Sequence, residues 1–576
     1  ENSKPYTALL LFRFFFIFLP QTGYLHPDEF MQSIEISAGD LLGVRTSSPP
    51  WEFTVDRPIR SAAILHLFYH GPLLLFKHLL VDGFSWYVDA YFVVIVTRLS
   101  IAVLSLANDA MVALLARELG LDTFRCLFLY SSSYIVMVHG TRTLSNAIES
   151  SLLAIVFICL LFALNAYSAP GNSRHTLVKV LLSTAGIVTA IGVMNRPTFV
   201  AFAAVPYLYT AWRCARSLVD PIGACFNFGA TILAAFSAAF VSLVLYDTLT
   251  FNPTFASRFA SLGMDEFLTV NGAFDFLSDF ARSAVVTPWN FVSYNSQSEN
   301  LAQHGTHPRW LHLINLALLL GPAAPVFVRH AWATLRQSAQ QQQQQQQQLS
   351  KAIVLACLVP LAALSLFPHQ ELRFLVPLLP LATVCVAQRL RCRLPIFSFA
   401  LPWIAFNAIA VIGLGFLHQG GVLPMTAHVG ELIRSTNSRL QPQQEPLCHR
   451  LLFLGTYPPP QHTLLLPQST CVQLEDLMGN RTALESRAAQ LRSDRVASVY
   501  AVFSAVHADP VRAAFAKSRY GLKYAARVYG HLSAESLPPA RRVLARLSES
   551  SSPVVEAGRS LSEALSIMVF HLVLTA

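Results

Sequence analysis

The sequence is poor in charge for its length. Asp, Glu, Lys and Arg make up only 13% of 576 residues, against 53% apolar residues and a mean hydropathy of +0.46. It also lacks a basic block, so its net charge of +9 does not mark a nucleic-acid binder. The basic residues instead sit in short loops between apolar runs, the pattern that orients helices in a membrane. No small-residue cleavage site follows the first apolar run, which Arg13 interrupts, so residues 7–20 are expected to be a retained anchor. Metal-type Cys and His spacing is absent as well. Most cysteines, including Cys126, Cys159, Cys214, Cys225, Cys357 and Cys385, lie inside apolar runs, where they act as small hydrophobes. Cys448 and Cys471 stand in a polar region and pair only if that region meets an oxidising lumen.

Long apolar runs are what the chain does have. About eleven spans are predicted, near residues 7–20, 86–107, 124–138, 150–167, 177–193, 198–212, 229–246, 310–328, 351–367, 373–388 and 396–417. The stretch 61–81 is apolar too, but Arg57, Arg60, His66, His70, Lys77 and His78 punctuate it, which suits a helix lying in the interface. Leaving it out puts Arg117/Arg125, Arg174/Lys179, Arg213/Arg216, Arg329/Arg336/Lys351 and Arg389/Arg391/Arg393 on one side, expected to be cytosolic. The alternative, with 61–81 spanning and 108–116 as a further short span, stays open.

The expected organisation is therefore an all-α polytopic membrane protein: a first transmembrane helix at 1–20, a polar loop with interfacial helix at 21–85, and transmembrane helices at 86–246. A long loop at 247–309 and transmembrane helices at 310–417 follow, then a small α/β region at 418–576 on the non-cytosolic side. Gln340–Gln348 has no apolar face to pack and is expected to be a disordered cytosolic linker. In the C-terminal region Leu451–Leu454 reads as a strand, 473–495 and 508–527 as helical, and the closing run 562–576 as an interfacial helix or truncated span. Asn480-Arg481-Thr482 is a glycosylation sequon on the face expected to be luminal.

That same face collects the polar clusters: His26-Pro27-Asp28-Glu29 with Glu35, Arg142 to Asn146 with Glu149, Asn195-Arg196-Pro197, the loop 247–309, and Pro368 to Phe374. Acids at the edge of the hydrocarbon are costly and point to function. A carboxylate at a membrane exit, together with groups that hold phosphate, suits transfer of a group from a lipid phosphate to a hydroxyl. Asp28, only a few residues past the first helix, would take the proton, with Glu29 as its near rival expected to orient the loop or contact the acceptor, while Arg373 and His369 offset charge on the leaving phosphate. The bland alternatives are a helix N-cap for the acids, a snorkelling helix end for Arg373, a helix-start anchor for Arg196 before Pro197, and an ion pair of Arg142 with Glu149 on one helical face. His304, His307 and Arg309 lack the companions a metal site needs and suit sugar or phosphate contact.

These motifs resemble the GPI mannosyltransferases, of glycosyltransferase family 22 in the GT-C superfamily. The likeness is carried by Gly23 to Gln32, Gly39-Asp40-Leu41-Leu42-Gly43, Trp51-Glu52-Phe53, Arg60-Ser61, Arg142 to Asn146, Arg196-Pro197-Thr198, Thr287 to Phe291 with Tyr294-Asn295, His304 to Arg309 and Pro368 to Phe374. Asn300 to Arg309 and Thr456-Tyr457-Pro458-Pro459-Pro460 are similar to the member that adds a fourth mannose. Met31, where the family is expected to carry an aromatic residue, and the polyglutamine insert depart from the pattern.

The resemblance implies a GT-C fold in the endoplasmic reticulum membrane with a luminal active site. It implies inverting α-1,2 transfer of mannose from dolichyl-phosphate-mannose to the third mannose of a GPI precursor, with no cofactor, no metal and no nucleic acid. Asp28 and Glu29 would be catalytic, and His369, Arg373 and Arg196 would bind the donor phosphate. His26, Gln32, Glu35, Trp51, Arg60, Arg142, Asn146, Asn290, Tyr294, His304, His307 and Arg309 would contact the acceptor or shape the loops. Another lipid-linked mannosyltransferase, for the third GPI mannose or an N-glycan precursor, shares these features. A transporter would need mid-membrane polar residues in both halves and an internal repeat, and neither is visible.

Overall fold

The computed structural model describes the chain apart from residues 1–2, 48–49, 55, 84–89, 168–173, 218–220, 262–268, 304, 338–343, 391–395, 439–447, 478–479, 491–495, 517–519, 534–551 and 575–576. The helices used below are α1 (Lys4–Phe18), α2 (Glu35–Leu42), α3 (Ala90–Glu118), α4 (Ser145–Tyr167), α5 (Arg174–Asn195), α6 (Phe199–Ser217), α7 (Pro221–Phe251), α8 (Thr287–Asn295), α9 (Leu311–Arg336), α10 (Gln344–Ser365), α11 (Leu372–Arg389), α12 (Ser398–Leu417), α13 (Val422–Asn437), α14 (Arg481–Gln490), α15 (Ala508–Ala516) and α16 (Pro553–Ala564). Among the described residues eight helices are long and apolar enough to cross a membrane: α3, α4, most of α5, α7, α9, α10, α11 and α12. The other three expected spans are also helical but fall short. Helix α1 has 15 residues, the stretch 124–138 breaks at Ser132–Ser133, and the C-terminal half of α6 is polar, with Tyr207, Tyr209, Arg213 and Arg216.

The chain forms two compact units, one of Glu1–Phe15, Pro49–Phe68 and Arg98–Asn407, the other of Phe16–Ser48, Tyr69–Thr97 and Ala408–Ala576. In the first, α4 is the central helix, with 83% of its apolar window buried, whereas α7 has only 11% buried and turns Ile222, Phe226 and Leu233 outward. Helices α5 and α7 approach closely at Gly186, where a Cβ would stand 2.5 Å from the Ile232 carbonyl oxygen. Arg13 does more than interrupt an apolar run. It is buried against Asp109 at 3.0 Å, and Asp109 also accepts from Tyr6 and Ser131. A paired charge is what an apolar helix tolerates.

Two expected loops are largely helical. Within 247–309, Pro253–Ser261, Val270–Ser283, α8 and Ser298–Gln303 are helices. Phe255, Phe276 and Phe280 pack together there while Val270, Phe274 and Leu277 stay exposed, as on interfacial amphipathic helices. Gln344–Gln348 form the start of α10 rather than a linker; glutamine is a competent helix former, and the apolar helix that follows supplies the nucleus. Gln340–Gln343 lie outside the described residues. The stretch 61–81 is one continuous helix from Ala62 to Asp82 in alternating α and π turns, with His66, His70, Lys77 and His78 along it.

The second unit holds a five-stranded sheet of β1 (Cys448–Leu454), β2 (Val472–Asp476), β3 (Val496–Ser504), β4 (Tyr520–Tyr529) and β5 (Ser566–Leu574), ordered β2-β1-β3-β5-β4. β2-β1-β3 pair in parallel, and β5 runs antiparallel to β3 and β4. The closing run is thus an inner strand, not a membrane helix. Ile567 and Val569 enter one apolar core while Met568, Phe570 and Leu572 enter another. A strand covered on both faces reads as unbroken apolar sequence, which periodicity cannot tell from a helix. Likewise 473–495 begins with β2 before α14, and 508–527 is α15 followed by β4. Cys448 and Cys471 are joined as a disulfide.

The C-terminal region is not a separate appendage. Its first core cluster combines Leu451, Phe453, Tyr500, Val502 and residues of α13 with Tyr24, Phe30, Ile34 and Ala38 from the polar loop after α1.

Candidate active site

In the second unit the chain leaves α1 in extended form and passes under Leu414–Gly415 so closely that a Cβ on Gly23 would lie 2.2 Å from a carbonyl oxygen. Gly23 N–H donates to Gly415 O at 2.9 Å, and Tyr24 N–H donates to His418 O at 2.8 Å. Glycine is required here because two backbones touch. The turn at Pro27 then starts a helical segment through Phe30–Ile34 into α2.

This segment separates the two adjacent acids. Glu29 is 0% exposed, and its Oε2 accepts from Leu25 N–H at 3.3 Å, turning back on the loop instead of capping the helix. The Asp28 side chain is 24% exposed and stands 3.3 Å from His26 Nδ1, which also lies 3.2 Å from the Asp28 N–H. Gln32 is half-buried in the same segment. Glu35, expected to meet the acceptor, is 1% exposed and fully engaged within the protein: Ser47 N–H (2.6 Å) and Gln461 N–H (2.9 Å) bond one oxygen, His462 N–H (3.2 Å) and Nδ1 (2.6 Å) the other. Burial pushes its pKa up, but the His462 contact and the backbone donors outweigh that and hold it below the ordinary range.

In the first unit the basic residues gather around two acids. Glu149 on α4 lies 3.9 Å from Arg196 and accepts from Thr198 at 2.9 Å and, at 3.5 Å, from Asn146. Arg196 also donates to Ser145 Oγ at 3.1 Å, and its guanidinium lies 4.9 Å over the Phe374 ring. Arg373 lies 5.6 Å from the same ring and is held by Glu371 through Nε and, at 3.0 Å, through Nη2. Burial lowers the Arg196 pKa to about 10; Arg60 and Arg373 push the same way, against Glu149 and Glu371. Three guanidiniums facing two carboxylates leave the cluster positive, ready for an anion.

His369 adds to that charge. Its Nε2 is 2.8 Å from Glu371 and its Nδ1 3.3 Å from Gly305 O, and the bond to Glu371 raises its pKa despite burial. The motif is zipped to the histidine loop: His307 N–H donates to Pro368 O at 2.7 Å, and the buried Gln370 donates to Arg309 O at 3.1 Å and accepts from His312 N–H at 2.8 Å. His304 lies outside the described residues.

The remaining expected contacts sit near Arg60. Asn290 donates to Pro58 O at 3.0 Å, Arg60 lies 5.9 Å from the Phe291 ring, and the Trp51 and Tyr294 rings are 4.6 Å apart. Arg142 is fully buried, but it precedes α4, which begins at Ser145, so the seven-residue spacing to Glu149 does not run along one helix. Sequence reasoning missed Asp247, buried at the end of α7, which accepts from Ser61 Oγ (3.0 Å), Ala63 N–H (3.0 Å) and Thr287 Oγ1 (2.9 Å) and so ties the Arg60 and Asn290 segments together. A lone acid in an apolar helix was the available signal. Sequence reasoning placed Gln370 and Glu371 in the Pro368 to Phe374 cluster but gave them no role of their own; they orient His369, Arg373 and the His307 loop.

Residues 4–462 match the Alg9-like mannosyltransferase family. The chain belongs to that family. It is 33% identical to human GPI alpha-1,2-mannosyltransferase 4, over 80% of this chain and 76% of that protein. It is 31% identical to GPI mannosyltransferase 4 of Aspergillus oryzae (83% and 80% covered) and 31% identical to that of Schizosaccharomyces pombe (75% and 69%). In fold it resembles the crystal structure of ArnT from Cupriavidus metallidurans bound to undecaprenyl phosphate, with a TM-score of 0.50 over 90% of this chain and 95% of that one at 11% identity. The protein is a multi-pass membrane glycosyltransferase of GT-C architecture.

Proposed function

We propose that the enzyme adds the fourth mannose in GPI-anchor biosynthesis, moving mannose from dolichyl-phosphate-mannose to the third mannose of the precursor in α-1,2 linkage. The acceptor's 2-hydroxyl oxygen attacks C1 of the donor mannose with inversion as the C1–O bond to the lipid phosphate breaks. Asp28 takes the hydroxyl proton. Arg373, Arg196 and His369 receive the charge that grows on the departing dolichyl phosphate, so the step calls on no cofactor or metal. The observation that carries this reading is the contrast within the acid pair: Glu29 is sealed and bonded to its own loop, while Asp28 keeps an accessible carboxylate beside His26. The name of the similar human GPI alpha-1,2-mannosyltransferase 4 supports the linkage, and the human and fungal names together support a GPI lipid as acceptor. A place in the endoplasmic reticulum membrane with the site facing the lumen agrees with the loop charges and with a disulfide in the C-terminal region.

The test is transfer by the purified enzyme from dolichyl-phosphate-mannose to a trimannosyl GPI precursor. The expected product carries one further mannose that an α-1,2-mannosidase removes. Transfer instead to a dimannosyl GPI or to an N-glycan precursor, with none to the trimannosyl lipid, would reassign the acceptor.

A further inference from the structure

The proposed reaction gives the C-terminal sheet no part, yet the segment after β1 brings an aromatic ring to the acid loop. The Tyr457 ring lies 5.5 Å from that of Tyr24, 6.5 Å from that of His26 and 5.7 Å from that of His418. Tyr24 is wholly buried, whereas Tyr457 is partly exposed. His26 in turn contacts Asp28. The ring is held at both ends of its segment. Tyr457 N–H donates to Gln419 Oε1 at 3.3 Å, and Tyr24 Oη donates to Pro458 O at 3.2 Å. Three successive prolines fix the backbone that follows, and the far end is clamped by Glu35 on Gln461 and His462.

We propose that Tyr457 forms a wall of the acceptor subsite, laying its ring against the C–H face of the accepting mannose, with Glu35 and His462 as the positioning residues that hold it there. This rests on the transfer to a mannosyl acceptor proposed above. A pyranose presents an apolar C–H face beside its hydroxyls, and a partly exposed ring beside His26, which itself contacts Asp28, matches both. Glu35 is then not an acceptor contact but the clamp that makes the C-terminal region part of the site.

The experiment measures acceptor KM, donor KM and kcat for the full-length enzyme in lipid nanodiscs. Tyr457→Phe keeps the ring and should leave acceptor KM within about twofold, while Tyr457→Leu should raise it about tenfold with donor KM unchanged. Glu35→Gln should raise acceptor KM on its own but add little in the Tyr457→Leu background, because both act on one contact. A merely structural role would add in full and would not be rescued by the Phe ring. Unchanged acceptor KM in a Tyr457→Leu enzyme with the wild-type melting midpoint overturns the proposal, and so does an equal rise in donor KM. Where Tyr457→Leu does not fold, Tyr457→His replaces it, and the same KM comparison decides. If the wild type ignores the trimannosyl GPI but elongates another mannosyl lipid, the proposed acceptor falls and the wall is judged on that lipid. Absence of transfer to any mannosyl lipid overturns both.

Discussion

The acid loop after α1 and the Pro368 to Phe374 motif use carboxylates in opposite ways. In the loop, Glu29 and Glu35 bond backbone N–H groups and a histidine, and they organise main chain around Asp28, whose carboxylate keeps solvent access. In the motif, Glu371 bonds Arg373 and His369 and pre-orients positive charge. The lesson is that burial, not place in a motif, tells an acid that organises the chain from one that stays accessible to a substrate.

The largest effect expected from breaking this contrast is at the acid pair. Asp28→Asn should lower single-turnover mannose transfer by about 10²–10⁴-fold without unfolding the protein, the range for a lost general base. Glu29→Gln should act through the loop, lowering the melting midpoint as well as turnover, since it disturbs a buried carboxylate. Near-normal transfer by Asp28→Asn beside a dead but fully stable Glu29→Gln would move the base to Glu29.

A smaller effect is expected at the basic motif. Arg373→Ala should raise donor KM by about one to two orders of magnitude, with Arg373→Lys only partly restoring it, because an ammonium cannot reproduce the paired donors. Wild-type donor KM in Arg373→Ala would make the residue a helix-end anchor. His369 gives the motif a pH signature. Its pKa is raised above the ordinary 6.5 by Glu371, so its charge and its contribution to stability are fully present below 6.5 and are lost as pH rises through the raised value. Donor KM should therefore climb on the alkaline side, and Glu371→Gln should shift that climb to lower pH. A pH profile identical in the two enzymes would separate His369 from donor binding.

The smallest effect concerns topology. Asn480 is exposed, its Oδ1 caps α14 through Thr482 and Ala483, and it should carry a glycan that endoglycosidase removes with little change in turnover. An unmodified Asn480, with an epitope near Gln340–Gln348 protected in sealed microsomes, would invert the proposed orientation.

Most spans were legible in the sequence because twenty apolar residues admit few structures in a bilayer. The acid and basic motifs were legible because charge is scarce in such a chain. β5 was not, since an inner strand covered on both faces carries no alternation. The start of α10 was misread for the opposite reason: a homopolymer has no pattern, and the helix that recruits it begins beyond it.

By itself the sequence determined a polytopic membrane enzyme, its family motifs and which titratable residues are too costly to be ornamental. Tertiary structure alone decided how those residues divide their work. It sealed Glu29, clamped Glu35 to Gln461 and His462 across more than four hundred residues, bound Glu371 to Arg373 and His369, and set Tyr457 beside His26. Hydrophobicity and charge act locally and can be read along the chain, whereas the partner that consumes a carboxylate's lone pairs is set by which distant segments share a core.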